Sequence, residues 1–211
     1  MTNFPTCDPA IREALRTKLS LVHNGDDAVI VDELKVSRGS SRVDVAVING
    51  RIEGYEIKSD RDTLARLANQ AEHFSRIADR MTLVVGDKHY DCAVPLIPIW
   101  WSILRVTQST DGTLKLKSAR RGQLNRSKCI RSLAEILERD ELVALLVAHE
   151  LDRGCRSFDH RSLVAKAVSC IKHRDIEAFV KKILKVRARL AHRYGDTAFG
   201  RNAIICGAPF G

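Results

Sequence analysis

The sequence predicts an α/β fold: an α-β-β-β-α-β core around a mixed central sheet, followed by a helical C-terminal region. Three observations carry this expectation. Residues 42–48 alternate, with Val43, Val45 and Val47 on one face and Asp44, Ala46 and Ile48 on the other. Asn49-Gly50, directly after them, is a hairpin signal leading into a second strand-like run. Residues 62–80 then change to helical period and end in the short apolar stretch 81–86, as a crossover onto a parallel strand requires.

Taken in order, residues 9–21 repeat Ile11, Leu15 and Leu19 at helical spacing, with Asp8 as N-cap and Pro9 at the first helical position. Residues 28–36 are apolar and β-branched, hence a strand. Strand 42–48 and its return, 51–59, follow. The helix 62–80 sets Leu64, Leu67, Ala71, Phe74 and Ala78 on one face, with Ser59, Asp60 and Asp62 capping its start. Residues 95–104, with Trp100 and Trp101 as core aromatics, read as one more short strand or packing segment. Asp111-Gly112 turns the chain, and Arg120-Arg121-Gly122 marks a linker. From Arg126 the pattern is helical, in amphipathic stretches over 133–151, 163–172 and 176–194. The expected division is a core domain over 1–110, a linker over 111–125, a basic helical region over 126–194 and a loose tail over 195–211.

Composition narrows the function. With 211 residues and 45% hydrophobic content the chain can bury a real core and is not a disordered polymer. The longest apolar run, 94–101, is broken by Pro95 and Pro98 and falls short of the roughly 20 residues of a membrane span. Residues 1–10 lack a basic-then-apolar leader pattern. The six cysteines are scattered, with no C-x-x-C pair and no zinc-ligand spacing, which suggests reduced thiols in the cytoplasm. The net charge of +9 is unevenly placed: residues 115–193 hold 20 basic and 9 acidic side chains. That imbalance favours a polyanionic partner such as nucleic acid.

The chemistry is expected at the hairpin. Asp44 interrupts an aliphatic strand, and twelve residues later comes Glu56-Ile57-Lys58. Residues i and i+2 share a strand face, so Glu56 and Lys58 project together. A two-residue turn would pair Asp44 with Tyr55 and put it on the opposite face. A three-residue loop, Ile48-Asn49-Gly50, pairs Asp44 with Gly54 and unites Asp44, Gly54, Glu56 and Lys58. One extra residue is therefore expected between Asp44 and Glu56, with Gly54 small so that a metal or phosphate can approach. Two carboxylates and an ammonium on one face suit metal-assisted phosphodiester hydrolysis. The other E-x-K triplet, Glu33-Leu34-Lys35, has no preceding strand with an Asp.

At these residues the sequence resembles the PD-(D/E)XK nuclease superfamily, with Val43 where the pattern usually has Pro. Gln70-Ala71-Glu72-His73-Phe74 resembles the Q-x-x-x-Y motif of its RecB-like members, with Phe74 for Tyr. Residues 42–47, 54–64 and 82–86, with Gln70, are similar to a group of small bacterial nuclease-like proteins, often from mobile elements. The resemblance is densest over 28–104. It implies a restriction-endonuclease-like core and a bacterial or phage-borne DNA nuclease dependent on Mg²⁺, with Mn²⁺ able to substitute. On this resemblance Asp44, Glu56 and the Ile57 carbonyl bind metal, Lys58 orients the attacking water and Gln70 supports the site. Glu33 or Glu13 adds an acidic residue, and Arg42, Arg61 and Arg66 hold the phosphate backbone. DNA is the expected partner and a membrane is not; a homodimer or a protein partner through the helical region stays open. The alternative is a non-catalytic nucleic-acid- or partner-binding module on the same fold, or a DNA-binding regulator acting through its helical half.

Overall fold

The computed structural model describes residues 6–194 apart from Asp26, Thr110 and Asp111. The expected loose tail and the first residue of the Asp111-Gly112 turn lie outside the described residues. Helix α1 spans Asp8–Val22, with Pro9 in its first turn. Cys7 occupies the cap position without a side-chain bond, so Asp8 is helical rather than the cap and pairs with Arg12 instead.

Six strands form one sheet in chain order: β1 (Val29–Val36), β2 (Ser41–Ile48), β3 (Ile52–Lys58), β4 (Arg80–Gly86), β5 (Ser102–Gln108) and β6 (Leu114–Arg120). The sheet is mixed. Pairs β1–β2, β2–β3 and β5–β6 are antiparallel, while β3–β4 and β4–β5 are parallel. The first parallel crossover runs through α2 (Leu67–Ser75). That helix begins five residues later than its pattern suggests, because Asp62 accepts both the Ser59 amide and hydroxyl and closes a turn there. The second crossover uses α3 (Tyr90–Ala93) and a 3-10 turn at Val94–Leu96. Strand β5 therefore starts after the tryptophans instead of at 95. Pro95 and Pro98 have no amide to give a ladder.

Two expectations about the second half need correction. The stretch 111–125 is no linker, since it contains β6. That strand alternates half-buried Leu114 and Leu116 with exposed Lys115 and Lys117, and two apolar residues are too short a pattern to read. Nor is the helical region a separate body. The helices are α4 (Ile130–Ala134), α5 (Arg139–Ala148), α6 (His160–Cys170) and α7 (His173–Tyr194). The expected helix over 133–151 is split because a capping box between Glu138 and Glu141 starts α5 afresh.

Strand alternation sends Val45, Val47, Tyr55, Ile57 and Val84 against Ile11, Leu15 and Leu19 of α1. The opposite set, including Ala46, Ile48, Ile52, Leu83 and Val85, packs against α2 and continues into Leu133, Leu142, Leu163, Val180 and Leu184 of the last four helices. The segment after β6 is laid on the sheet. A Cβ on Gly122 would come 2.5 Å from the Ser102 nitrogen, and the Asn125 amide nitrogen donates to the Ser75 and Ala78 carbonyls at 2.6 and 2.9 Å. Removing residues 122–211 would thus strip the last four helices from that sheet face. The truncated chain is expected to show no cooperative thermal transition by circular dichroism; a sharp transition would mean that 1–121 folds alone. Among the described residues no helix is long and apolar enough to cross a membrane.

Candidate functional site

The hairpin register decides whether the carboxylates can meet. Ile48 pairs with Ile52, Val47 with Glu53, Ala46 with Gly54 and Val45 with Tyr55. The loop is three residues, Asn49 to Arg51, with Gly50 in the left-handed region at φ 94°. The extra residue is present, one position later than expected, and the parity is the same. One step beyond the last pair, Asp44 comes opposite Glu56, near enough for its charge to act on the Glu56 carboxyl.

Pairing fails locally around Asp44. The β2–β3 ladder ends at Val45–Tyr55, and the β1–β2 register passes from Asp32–Val45 to Leu34–Val43 without a Glu33–Asp44 pair. Glu33 has φ 53° there, a conformation costly for a side-chain-bearing residue. The Asp44 carboxylate takes over part of the lost ladder: its Oδ2 accepts the Ile57 amide at 2.7 Å.

Glu56 is fully buried and Lys58 nearly so, with Lys58 Nζ 2.5 Å from Glu56 Oε1. The other oxygen, Glu56 Oε2, is buried and has no partner; the same holds for Oε1 of Gln70 on α2. The next turn of α2 meets β2 where the Ser41 hydroxyl and His73 Nδ1 lie 2.6 Å apart. Burial, and then the Asp44 charge, push the Glu56 carboxyl up to about 8 against the opposing pull of Lys58.

A buried Glu56 with an unpartnered oxygen beside a half-buried Asp44 is a donor set that suits a hard divalent cation. It is a sparse one. Among the described residues no group of three or more His, Cys, Asp or Glu is arranged to hold a metal. Glu33 is committed elsewhere, to Arg12 and Arg42 at 3.2 Å each, and Glu13 is exposed on α1. The structure thus ties Glu33 to arginines instead of leaving it free as a metal contact, and Arg42 faces Glu33. Arg61 and Arg66 are exposed on the segment between β3 and α2. Gly54 has a different reason from the expected one: a Cβ there would meet Met81 Sδ at 2.4 Å. Its size accommodates core packing.

Sequence reading missed Arg12 and misjudged Asp60. Arg12 lies on the polar stripe of an amphipathic helix, where nothing in the pattern marks it. Asp60, expected as a helix cap, is a buried clamp that accepts the Thr6 amide and hydroxyl at 2.9 and 2.8 Å and the Lys88 amide at 3.1 Å. Burial opposes its charge, yet those hydrogen bonds hold its carboxyl below the ordinary value. Two concavities that share Ser75, Trp100 and Ser127 lie at the C-terminal end of α2, away from the acidic hairpin.

A pH prediction follows from Glu56. Its folded value lies above its unfolded one, so the metal-free protein keeps this contribution at acid pH and loses it as pH rises through about 8. In EDTA, wild-type stability relative to Glu56→Gln is expected to fall between about pH 5 and 8.5. Denaturant titrations at each pH check it, and parallel curves would show that Glu56 is not desolvated.

The fold and this hairpin define a class: an α/β protein with a six-stranded mixed sheet and a buried glutamate beside a half-buried aspartate where its β2–β3 hairpin splays. The chain belongs to the bacteriophage P4 protein cII family, the match covering residues 7–201. A curated relative, Protein cII of Enterobacteria phage P4, is 40% identical over 62 residues, which is 29% of this chain and 24% of that protein. The chain therefore spans about a quarter of the length of the curated relative it matches. No solved structure gives a significant match.

Proposed function

We propose that this phage-type protein is a metal-dependent DNA nuclease of the PD-(D/E)XK kind, with the splayed hairpin as its site. The observation that carries the reading is the buried, unpartnered Glu56 Oε2 beside Asp44, with Lys58 on the other oxygen. Asp44, Glu56 and the Ile57 carbonyl would hold Mg²⁺ or Mn²⁺, which when bound polarises the scissile phosphate and acidifies a water. The chain's own residues supply the rest. Lys58 holds an ammonium at the carboxylate pair, where it orients the attacking water and offsets charge gathering on the phosphate. Gln70 offers a buried amide oxygen to the same side of the sheet, and exposed Arg61 and Arg66 attract the backbone.

The family match, which names a phage protein and no enzyme, favours a second reading: a DNA-binding regulator, or a binding module on this fold that does not cut. In its helical half, Lys128, Lys181, Lys185 and Arg187 are spent on Asp79, Glu177, Asp27 and Glu141. Exposed Arg156 and Arg161 are left to meet a polyanion.

One set of assays separates the readings. Purified protein is incubated with Mg²⁺ or Mn²⁺ on linear, circular and branched DNA, alongside Glu56→Gln. Cleavage lost in that variant supports the nuclease. DNA binding without cleavage, weakened in Arg156→Glu/Arg161→Glu more than in Arg61→Glu/Arg66→Glu and with a flatter salt dependence, supports the regulator.

A further inference from the structure

Asp44 is a β2 residue that finds no strand partner on either side, which raises the question of what holds it. Its neighbours Val43 and Val45 are paired to β1, and Val45 also to β3, but the ladders pass Asp44 by. A residue released from two ladders has a free carbonyl and a free choice of side-chain direction, whereas a metal ligand needs both fixed.

The answer comes from the opposite layer. Arg12, three residues after Pro9 in α1, donates Nη1 to the Asp44 backbone carbonyl at 2.7 Å. Its Nη2 lies 3.3 Å from Asp44 Oδ1 and 3.2 Å from Glu33 Oε1. Asp8, one turn earlier on α1, holds the other end of the guanidinium at 3.2 Å. The Arg12 side chain is only 22% exposed, so these contacts are made out of bulk water. The short bond is to the carbonyl and the longer one to the carboxylate. Arg12 thus grips the backbone of Asp44 and steers its side chain, while Oδ2 stays on the Ile57 amide. The planar fork of arginine suits this double task, and a lysine could make one contact of the two.

We infer that Arg12 is the positioning residue of the hairpin site: it replaces the missing ladder at Asp44 and presents that carboxylate beside Glu56. It also draws Glu33 away, leaving two carboxylates for a cation. The metal half of this inference rests on the nuclease reading; the holding of Asp44 does not.

The test uses the full chain with Arg12→Gln and Arg12→Lys. In metal-free protein, amide hydrogen exchange at Ile57 is expected to quicken about 10-fold or more in Arg12→Gln, with Val84 in the core unchanged. Calorimetric titration with Mn²⁺ alone is expected to show affinity about 10-fold weaker in Arg12→Gln, recovered only in part by Arg12→Lys. Unchanged Ile57 exchange overturns the holding role. Unchanged or tighter Mn²⁺ binding overturns the positioning of a ligand, since a cation that merely blocked Asp44 would release metal binding when removed. If wild-type protein takes up no Mn²⁺ but Ile57 exchange responds, the nuclease reading fails while Arg12 is still shown to hold Asp44.

Discussion

On the proposed nuclease reading, Lys58→Ala is expected to lower phosphodiester cleavage about 10²-fold or more, with the loss in kcat rather than KM. The ammonium is 2.5 Å from Glu56 Oε1 at a strand end, so on that reading it would act at the scissile phosphate and not on a distant part of a DNA ligand. Alanine also removes a stem that is 9% exposed, so a cavity accompanies the lost charge. Lys58→Met fills that volume without the charge and separates the two effects. It should be as inactive as Lys58→Ala and closer to wild type in stability. Without Lys58, the Glu56 carboxyl loses its one favourable charge and is driven further toward the neutral acid, which would also weaken the proposed metal site. Either variant cutting at the parent rate would sink the proposed role.

The second large effect concerns stability. Asp79→Ala is expected to cost about 3–5 kcal/mol, because it breaks a largely buried charge cluster on one side only. The Asp79 carboxylate accepts the Ile52 amide at 2.8 Å and Lys128 at 2.5 Å, and has Lys181 at 3.9 Å. Lys128 also pairs with Glu177, so the cluster joins the start of β3 and the end of the α2 crossover to α7. Removing Asp79 leaves an orphan amide and a cation that is 16% exposed with one acid in place of two. Glu177→Gln, at the more exposed edge of the cluster, should cost markedly less. Equilibrium urea unfolding measures both, and a loss below about 1 kcal/mol for Asp79→Ala would mean that water substitutes for the carboxylate.

The core elements up to β4 were legible because each has a strong local period. The α1 repeat of Ile11, Leu15 and Leu19 survives folding, and the β2 alternation holds from Val45 to Ile48; it breaks at Asp44, where Val43 turns to the face of Ala46 and Ile48 instead of joining Val45 and Val47. The three-residue loop was also legible, since the register of a hairpin depends on counting residues through its turn. The turn itself lies one residue further on. Strand β6 was not legible: Leu114 and Leu116 alone give no period, and the strand exists because β5 offers it an open edge.

By itself the sequence determined the α/β class and the order of the core elements through β4, which follow from apolar period and β-branched runs along the chain. Tertiary structure alone decided that the last four helices close the same core as the sheet, since burial against a distant face leaves no mark on local spacing. It alone assigned Glu33 to Arg12 and Arg42 instead of to the carboxylate pair, and brought Arg12 from another layer to hold Asp44. Those contacts join residues 9 to 32 positions apart, and the preference of a guanidinium for one carboxylate over another is settled by geometry in space.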